Sequence, residues 1–287
     1  NQPFHFQNEL KTVIFICNGE IYNYKELNHK YDLNLENNSD CMTIPLLYMK
    51  LDDEEVWLEL FSKEIKGEFA FIMCEFDNFK NLRKVFVGRD QIGIRPLYYN
   101  GCSVNVEQNK DQFVFCSEIK GLRWYEDNVE EFPPGKILRL NFDEFKNTEM
   151  SFYDFKWVYN VMQVIKDENY YLENVRKAVI NSVRRRLVAD RPLAFLLSGG
   201  VDSSLVCAIS QKILNQPINT FCCGMGKGTD LKYAKMVADH IKSHHTEVLF
   251  TEQEGFDSIP DVIETIETWD TTTVRASVGQ FLVSKFI

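Results

Sequence analysis

The sequence has no long apolar run, no cysteine pair at redox or zinc spacing, and no excess of positive charge. Apolar stretches such as Val13 to Cys17 and Leu193 to Leu197 fall far short of the roughly 20 residues that a membrane helix needs. No basic-then-apolar segment opens the chain, so no secretory signal is read there. Lys plus Arg number 32 against 42 Asp plus Glu, a net charge of −10. That balance argues against a broad surface for nucleic acid or anionic lipid and leaves room for a local basic pocket. The eight cysteines form no C-x-x-C pair, and most sit in apolar runs, where a free thiol behaves as a small hydrophobe. Internal repeats and low-complexity tracts are missing as well. The expectation is a soluble, cytoplasmic protein with no membrane and no nucleic-acid partner.

What is present is enough for two domains. The chain has 287 residues and 45% hydrophobic content, so it can bury a real core. In the first half, Thr12 to Cys17, Phe69 to Phe76, Lys84 to Val87, Gln112 to Cys116 and Lys136 to Leu140 read as strands. Asn18-Gly19, Asp77-Asn78 and Asn100-Gly101 read as the turns that bound them. Ser39 is placed to cap a helix through Ile44, Leu47, Tyr48 and Leu51, and Val56, Leu60 and Ile65 mark a second. The pattern predicts an α+β domain with antiparallel sheets, followed by a connector over 141–166.

From there the period changes. Leu172, Val175, Val179, Val183 and Leu187 recur at helical spacing. A strand at Leu193 to Leu197, a helix through Leu205, Ile209 and Leu214, and a strand at Ile218 to Cys223 follow. A helix from Asp230 to Ile241 and a strand at Thr246 to Phe250 complete an α/β domain with a parallel sheet. His244 and His245 stand just before that last strand; a metal pair is conceivable, but no cysteine or carboxylate partner stands at ligand spacing, so they read as a strand edge and no metal site is assigned. Val278, Phe281, Leu282 and Phe286 carry a helical stripe up to Ile287 without a stop signal, so both ends read as cut.

One segment carries the most chemistry. Ser198-Gly199-Gly200-Val201-Asp202-Ser203-Ser204 joins a buried-type strand to an amphipathic helix. Paired glycines let main-chain N–H groups approach an anion, the helix start adds its dipole, and three hydroxyls can donate to phosphate oxygens. The lysine of a Walker loop is absent. Gly224-Met225-Gly226-Lys227-Gly228 imitates a dinucleotide fingerprint but lacks its spacing.

The S-G-G-V-D-S-S segment resembles the pyrophosphate loop of the PP-loop ATP pyrophosphatases. Further stretches narrow the resemblance to the glutamine-dependent asparagine synthetases. They are Asn18-Gly19-Glu20-Ile21-Tyr22-Asn23, Ser39-Asp40, the run Gly88 to Tyr98, Ser117 to Leu122, and Asp270 to Ser277, in the family's order. Where the family tends to have Ser-Pro-Asp-Leu, this chain has Gly228-Thr229-Asp230-Leu231, and Asp230 reads as a helix cap. The resemblance implies an N-terminal-nucleophile-type class II glutamine amidotransferase domain over 1–160 and a PP-loop synthetase domain over 161–287. It leaves the first without its start and the second without its end. The family's nucleophile is an N-terminal cysteine; this chain begins with Asn1, so the glutaminase half is expected to lack it, with Cys17 a buried, neutral thiol.

By the same resemblance, the Asn18 amide and the Gly19 N–H form an oxyanion hole, although a bare Asn-Gly reads first as a hairpin turn. Glu20 and Asp40 hold the α-amino group of glutamine, and Asp40 also suits a helix start. Ser198, Gly199, Gly200, Asp202, Ser203 and Ser204 bind the phosphates of ATP with Mg²⁺, while Leu196 and Cys223 contact adenosine at strand ends. Thr272, Thr273 and Arg275 belong to the synthetase site. The implied activity is ATP-dependent conversion of aspartate to asparagine with glutamine or ammonia as nitrogen donor, and the resemblance leaves room for a homodimer. A β-lactam-synthetase-like enzyme and a non-catalytic ATP-binding regulator are the alternatives.

Overall fold

The computed structural model describes residues 2–35, 39–51, 53–100, 113–125, 129–142, 148–154, 167–226 and 228–287. The chain divides into two units, Asn1–Met162 and Gln163–Ile287.

In the first unit, β1 (Phe4–Gln7) and β2 (Lys11–Ile21) lead into α1 (Tyr24–Tyr31), α2 (Thr43–Lys50) and α3 (Glu54–Lys63). Then come β3 (Gly67–Asp77), β4 (Leu82–Arg89), β5 (Tyr98–Asn100), β6 (Phe115–Cys116), β7 (Val129–Glu131), β8 (Lys136–Phe142) and β9 (Thr148–Asp154). The large sheet is antiparallel in the order β1-β2-β3-β4-β8-β9, and a small one runs β6-β5-β7. Strand alternation gives the large sheet two apolar faces. Val13, Phe15, Phe71, Met73 and Phe86 face the helices, where Trp57 donates its indole N–H to the Ile44 carbonyl at 3.1 Å. Tyr48, Phe61 and Phe86 meet Trp57 edge-on at 5.0 to 5.2 Å, pairs worth about 0.5–1.5 kcal/mol each beyond area burial. Ala70, Val85, Val87, Leu138 and Leu140 face the other way and pack on Leu97 and Phe132 beside the small sheet.

A loop organised around the buried Asp90 joins the sheets. Asp90, 2% exposed, accepts main-chain N–H groups from Ile92 (3.0 Å), Gly93 (2.7 Å), Ile94 (3.1 Å), Arg95 (3.1 Å) and Phe69 (3.2 Å). Arg89 donates to the carbonyls of Gly93, Arg95 and Phe132 and to the Glu131 carboxylate, at 2.7 to 2.9 Å. Gly93 sits at φ +77°, which the turn requires.

Several expectations change. Asn18-Gly19 is not a turn: β2 runs on to Ile21, paired Asn18↔Ala70 and Gly19↔Phe69, because the long ladder outweighs the local turn preference of the dipeptide. The connector over 141–166 holds β9, an edge strand that pairs with β8 through main-chain bonds rather than a strong apolar pattern. The Asp77-Asn78 turn is present, with Asp77 Oδ1 accepting from Phe79 and Asn81 N–H at 2.9 Å. Gly101 and Gln112 lie outside the described residues. Ser39 makes no side-chain cap; a 3₁₀ turn, Asp40–Met42, intervenes before α2, whose first turn accommodates Pro45. The second helix is capped by Asp53, and it buries Trp57, Leu58, Leu60 and Phe61 while Val56 is exposed.

The second unit contains α4 (Glu168–Arg186), β10 (Ala194–Leu196), α5 (Val201–Leu214), β11 (Asn219–Gly224), α6 (Thr229–Ile241) and β12 (His244–Leu249). It closes with α7 (Glu252–Asp257), α8 (Ile259–Ile266) and α9 (Thr271–Phe286). The sheet is parallel in the order β10-β11-β12. Leu197, Cys207, Ile218, Cys222, Leu231, Ala234, Ala238 and Ile241 form its core. Of the expected α4 stripe, Val183 is buried, whereas Leu172 and Val175 are exposed.

His244 and His245 are adjacent strand residues and so point to opposite faces. His245 Nδ1 meets Thr220 Oγ1 at 2.9 Å and Nε2 meets Cys222 Sγ at 3.3 Å, while Thr220 Oγ1 also meets Ser243 Oγ at 2.8 Å. Burial lowers the His245 pKa from 6.5; Lys235 lowers it further, while Glu247 and Asp239 oppose the shift.

Two predictions follow from these buried groups. Asp90→Ala orphans buried N–H groups, so the unfolding free energy of the first unit should fall by about 2–4 kcal/mol in urea titrations. As pH falls, the unfolded chain protonates His245 before the folded one does. Stability present above pH 6.5 should therefore be lost through the lowered folded value, and His245→Gln should flatten that slope in melts at stepped pH.

Candidate functional sites

In the first unit, ladder geometry decides where the Asn18-Gly19 main chain points. Phe69 donates to Asp90 Oδ2 at 3.2 Å and accepts from Asp90 N–H at 2.8 Å, so its polar groups face β4. Gly19, opposite Phe69, is therefore in a non-bonded pair and turns its own N–H and C=O away from β3. Pairing of β1 with β2 begins only at Phe4↔Phe15. Along the remaining edge, the Gln2 side chain stands in for a strand: it accepts from Cys17 N–H and donates to Cys17 C=O, both at 2.7 Å. Asp40 Oδ2 accepts from Ile21 N–H at 2.5 Å, and Cys41 Sγ donates to the Gly19 carbonyl at 3.2 Å. Between them the Gly19 N–H faces outward with no acceptor among the described residues. A Cβ at Gly19 would lie 2.4 Å from the Glu68 carbonyl oxygen, so the close approach of β3 demands glycine.

Asn18 lies on the opposite face from Cys17 and lines a cavity of about 300 Å³ with Gln2, Ile16, Ala70, Ile72, Leu97 and Ser117. Thus Asn18, Gly19 and Asp40 come to one stretch of edge. Glu20 is exposed beside them and is paired in register with Glu68, which binds Arg95 at 3.0 Å. Cys17 is 7% exposed; a hydrogen bond with Cys41 and burial hold its thiol well above the usual range, against the opposing field of Arg95. It is a neutral thiol.

In the second unit, a cavity of about 480 Å³ opens at the C-terminal ends of β10 and β11. Leu196, Ser198, Ser203, Cys223 and Arg275, expected from four separate segments, all line it. Gly199 has φ +79°, and a Cβ there would lie 2.5 Å from the Tyr233 carbonyl carbon, so the loop is seated on α6. Gly200 is the N-cap of α5, and Asp202 is exposed in its first turn. Ser198 Oγ and Ser203 Oγ are 3.0 Å apart; Ser203 Oγ also donates to the Gly200 carbonyl at 3.2 Å, and Gly200 N–H donates to Ser198 Oγ at 3.4 Å. Ser204 lies elsewhere, lining the groove between α5 and α6, its hydroxyl buried without a hydrogen-bond partner among the described residues. Thr273 gives both its N–H and its hydroxyl to Asp270 at 2.8 Å, capping α9, and Thr272 is exposed; neither lines the cavity.

Sequence reasoning missed Asp230, Phe221, Phe250 and Gly279 as cavity residues. For Gly279 the signal is tertiary: Cys223 Sγ donates to its carbonyl at 3.0 Å, which brings α9 over the strand ends. Burial, then the charge of Asp230, raises the Cys223 pKa.

Comparison with known proteins matches both halves. Residues 1–123 match the glutamine amidotransferase domain model and residues 174–287 the asparagine synthase model. The two matches therefore define a glutamine amidotransferase domain followed by a synthetase domain. The glutamine-hydrolysing asparagine synthetase of Homo sapiens is 34% identical over 310 residues, that of Mus musculus 36% over 299, each across 96% of this chain. That of Asparagus officinalis is 36% identical across 100% of this chain. The chain belongs to the asparagine synthetase family. It spans about half the length of these relatives: 50%, 50% and 46%. A Bacillus subtilis glutamine phosphoribosylpyrophosphate amidotransferase structure aligns with a TM-score of 0.41 and 17% identity over 76% of this chain and 47% of its own, a level that carries no fold assignment.

Gly199→Val introduces both a positive-φ strain and a clash with α6. Amide hydrogen exchange in the Ser198–Ser203 loop and the facing turn of α6 should speed up at least about tenfold, while exchange in the first unit stays unchanged.

Proposed function

We propose that this chain contributes both halves of glutamine-dependent asparagine synthesis. In the first unit, read as an N-terminal-nucleophile-type glutaminase, the Gly19 N–H and the Asn18 amide stabilise the oxyanion formed when a cysteine thiolate attacks the glutamine side-chain amide; ammonia leaves as the thioester forms, and water then releases glutamate. Each such donor supplies about 3 kcal/mol of transition-state stabilisation. Cys17, buried and neutral, is not that thiolate. Asp40 and Glu20 receive the α-ammonium. In the second unit, read as a PP-loop domain, the β-carboxylate of aspartate attacks the α-phosphorus of ATP. The P–O bond to pyrophosphate breaks, leaving β-aspartyl-AMP. Ammonia attacks the acyl carbon, AMP leaves, and asparagine forms.

The observation that supports this reading most is the convergence of Leu196, Ser198, Ser203, Cys223 and Arg275 on one cavity at parallel-strand ends, where open α/β sheets bind nucleotides. Ser198, Gly199, Gly200 and Ser203 would bind the phosphates at the start of α5, and Leu196 and Cys223 the adenosine. Among the described residues no cluster of three metal-ligating side chains occurs. Magnesium fits here all the same, because it takes one or two carboxylates and completes its shell with substrate phosphates and water. Asp202 is the carboxylate best placed beside the loop, and the ion would neutralise phosphate charge.

The test is pyrophosphate release by the protein with ATP, Mg²⁺, L-aspartate and ammonia. One pyrophosphate per asparagine, absent without aspartate, is the expected result. Release that ignores aspartate would overturn the reading.

A further inference from the structure

The cavity of the second unit carries two opposite charges that do not neutralise each other. Asp230 projects from the first turn of α6 and Arg275 from α9, and both line it. Arg275 has no hydrogen-bond or ion-pair partner among the described residues. Asp230 accepts only from the hydroxyl of its neighbour Thr229, at 3.4 Å. The carboxylate also faces the strand ends, since its field reaches Cys223.

Such a wall pair discriminates among ligands. A polyphosphate alone is repelled by Asp230, and a bare cation is repelled by Arg275. A molecule bearing both an ammonium and a carboxylate satisfies the two together, and leaving either charge unmatched lowers affinity. The loop of Ser198 to Ser203 lends the cavity hydroxyls and N–H groups suited to phosphate, while its own carboxylate, Asp202, is exposed in the first turn of α5 and does not line the cavity. Asp230 is the acidic side chain of the cavity wall.

We propose that Asp230 recognises the α-ammonium of the amino-acid substrate, with Arg275 receiving one of its carboxylates. The inference rests on the synthetase reading of the second unit and deepens it. Asp230 becomes the residue that selects an amino acid over a plain dicarboxylate. It is a binding residue, and it takes no part in the bond changes at phosphorus.

L-Aspartate and succinate differ by the ammonium alone, so they are the probes. Titration calorimetry on the full chain, with Mg²⁺ and ATP bound, should show L-aspartate binding at least about tenfold more tightly than succinate. Asp230→Asn should erase that preference by weakening L-aspartate at least about tenfold while succinate and ATP affinities hold, and Asp230→Glu should restore part of it. An unchanged aspartate preference in Asp230→Asn overturns the inference and leaves the synthetase reading standing. Equal losses for aspartate, succinate and ATP also overturn it, and mark Asp230 as a magnesium or structural ligand. A wild-type chain that binds ATP but neither acid sinks the synthetase reading itself.

Discussion

The carboxylate of Asp90 gathers five main-chain N–H groups, four from the loop that follows it and one from Phe69 on β3. Charge-assisted hydrogen bonds of this kind are roughly twice as strong as neutral ones, and here they replace the secondary structure that the loop lacks. The neighbouring Arg89 does the complementary work, collecting three carbonyls and one carboxylate. Together the two side chains tie the last residue of β4 to the start of the small sheet. Because Asp90 occupies the polar groups of Phe69, it also sets which way Gly19 faces across the ladder. The Gly19 N–H is therefore oriented by a carboxylate two strands away.

The two units solve the same problem by different means. On the proposed function, each must offer main-chain N–H groups to a negatively charged atom without leaving them orphaned in the fold. In the first unit the donor lies on a strand edge, bracketed by the Gln2 amide at Cys17 and the Asp40 carboxylate at Ile21. In the second the donors lie at a helix start, reached through a left-handed glycine that only a residue without Cβ can supply against Tyr233. Both sites depend on a glycine pressed against a neighbouring backbone.

Much of this was legible in the sequence, for reasons that can be named. The strand–helix alternation of the second unit follows from local periodicity, and every expected element is found there. The Ser198 to Ser204 candidates stand in one contiguous run, so they could be read from a single segment, but Ser204 turns into the groove between α5 and α6, which only the helix packing reveals. What stayed hidden depends on long-range pairing. Asn18-Gly19 has the local signature of a turn, and only its eleven-residue ladder with β3 holds it extended. Strand β9 is held through β8, and its sequence advertises little. Thr273 was grouped with the site through its motif, whereas its hydroxyl closes the helix cap at Asp270. Asp230 read as a cap because its cavity forms only when α9 folds over the strand ends.

The internal bonds of the Ser198–Ser203 loop have a consequence for energetics. Both hydroxyls are already engaged, with each other and with Gly200, at 3.0 to 3.4 Å. An arriving phosphate thus exchanges partners rather than gaining them, and each exchange is worth little net. On the proposed reading, what remains to drive phosphate association is charge: the exposed start of α5 and the dipole behind it. Interactions of that kind between exposed groups are screened by dissolved ions over about 8 Å at physiological ionic strength. The loop is thereby a site whose shape is fixed in advance and whose grip is set by the ionic medium.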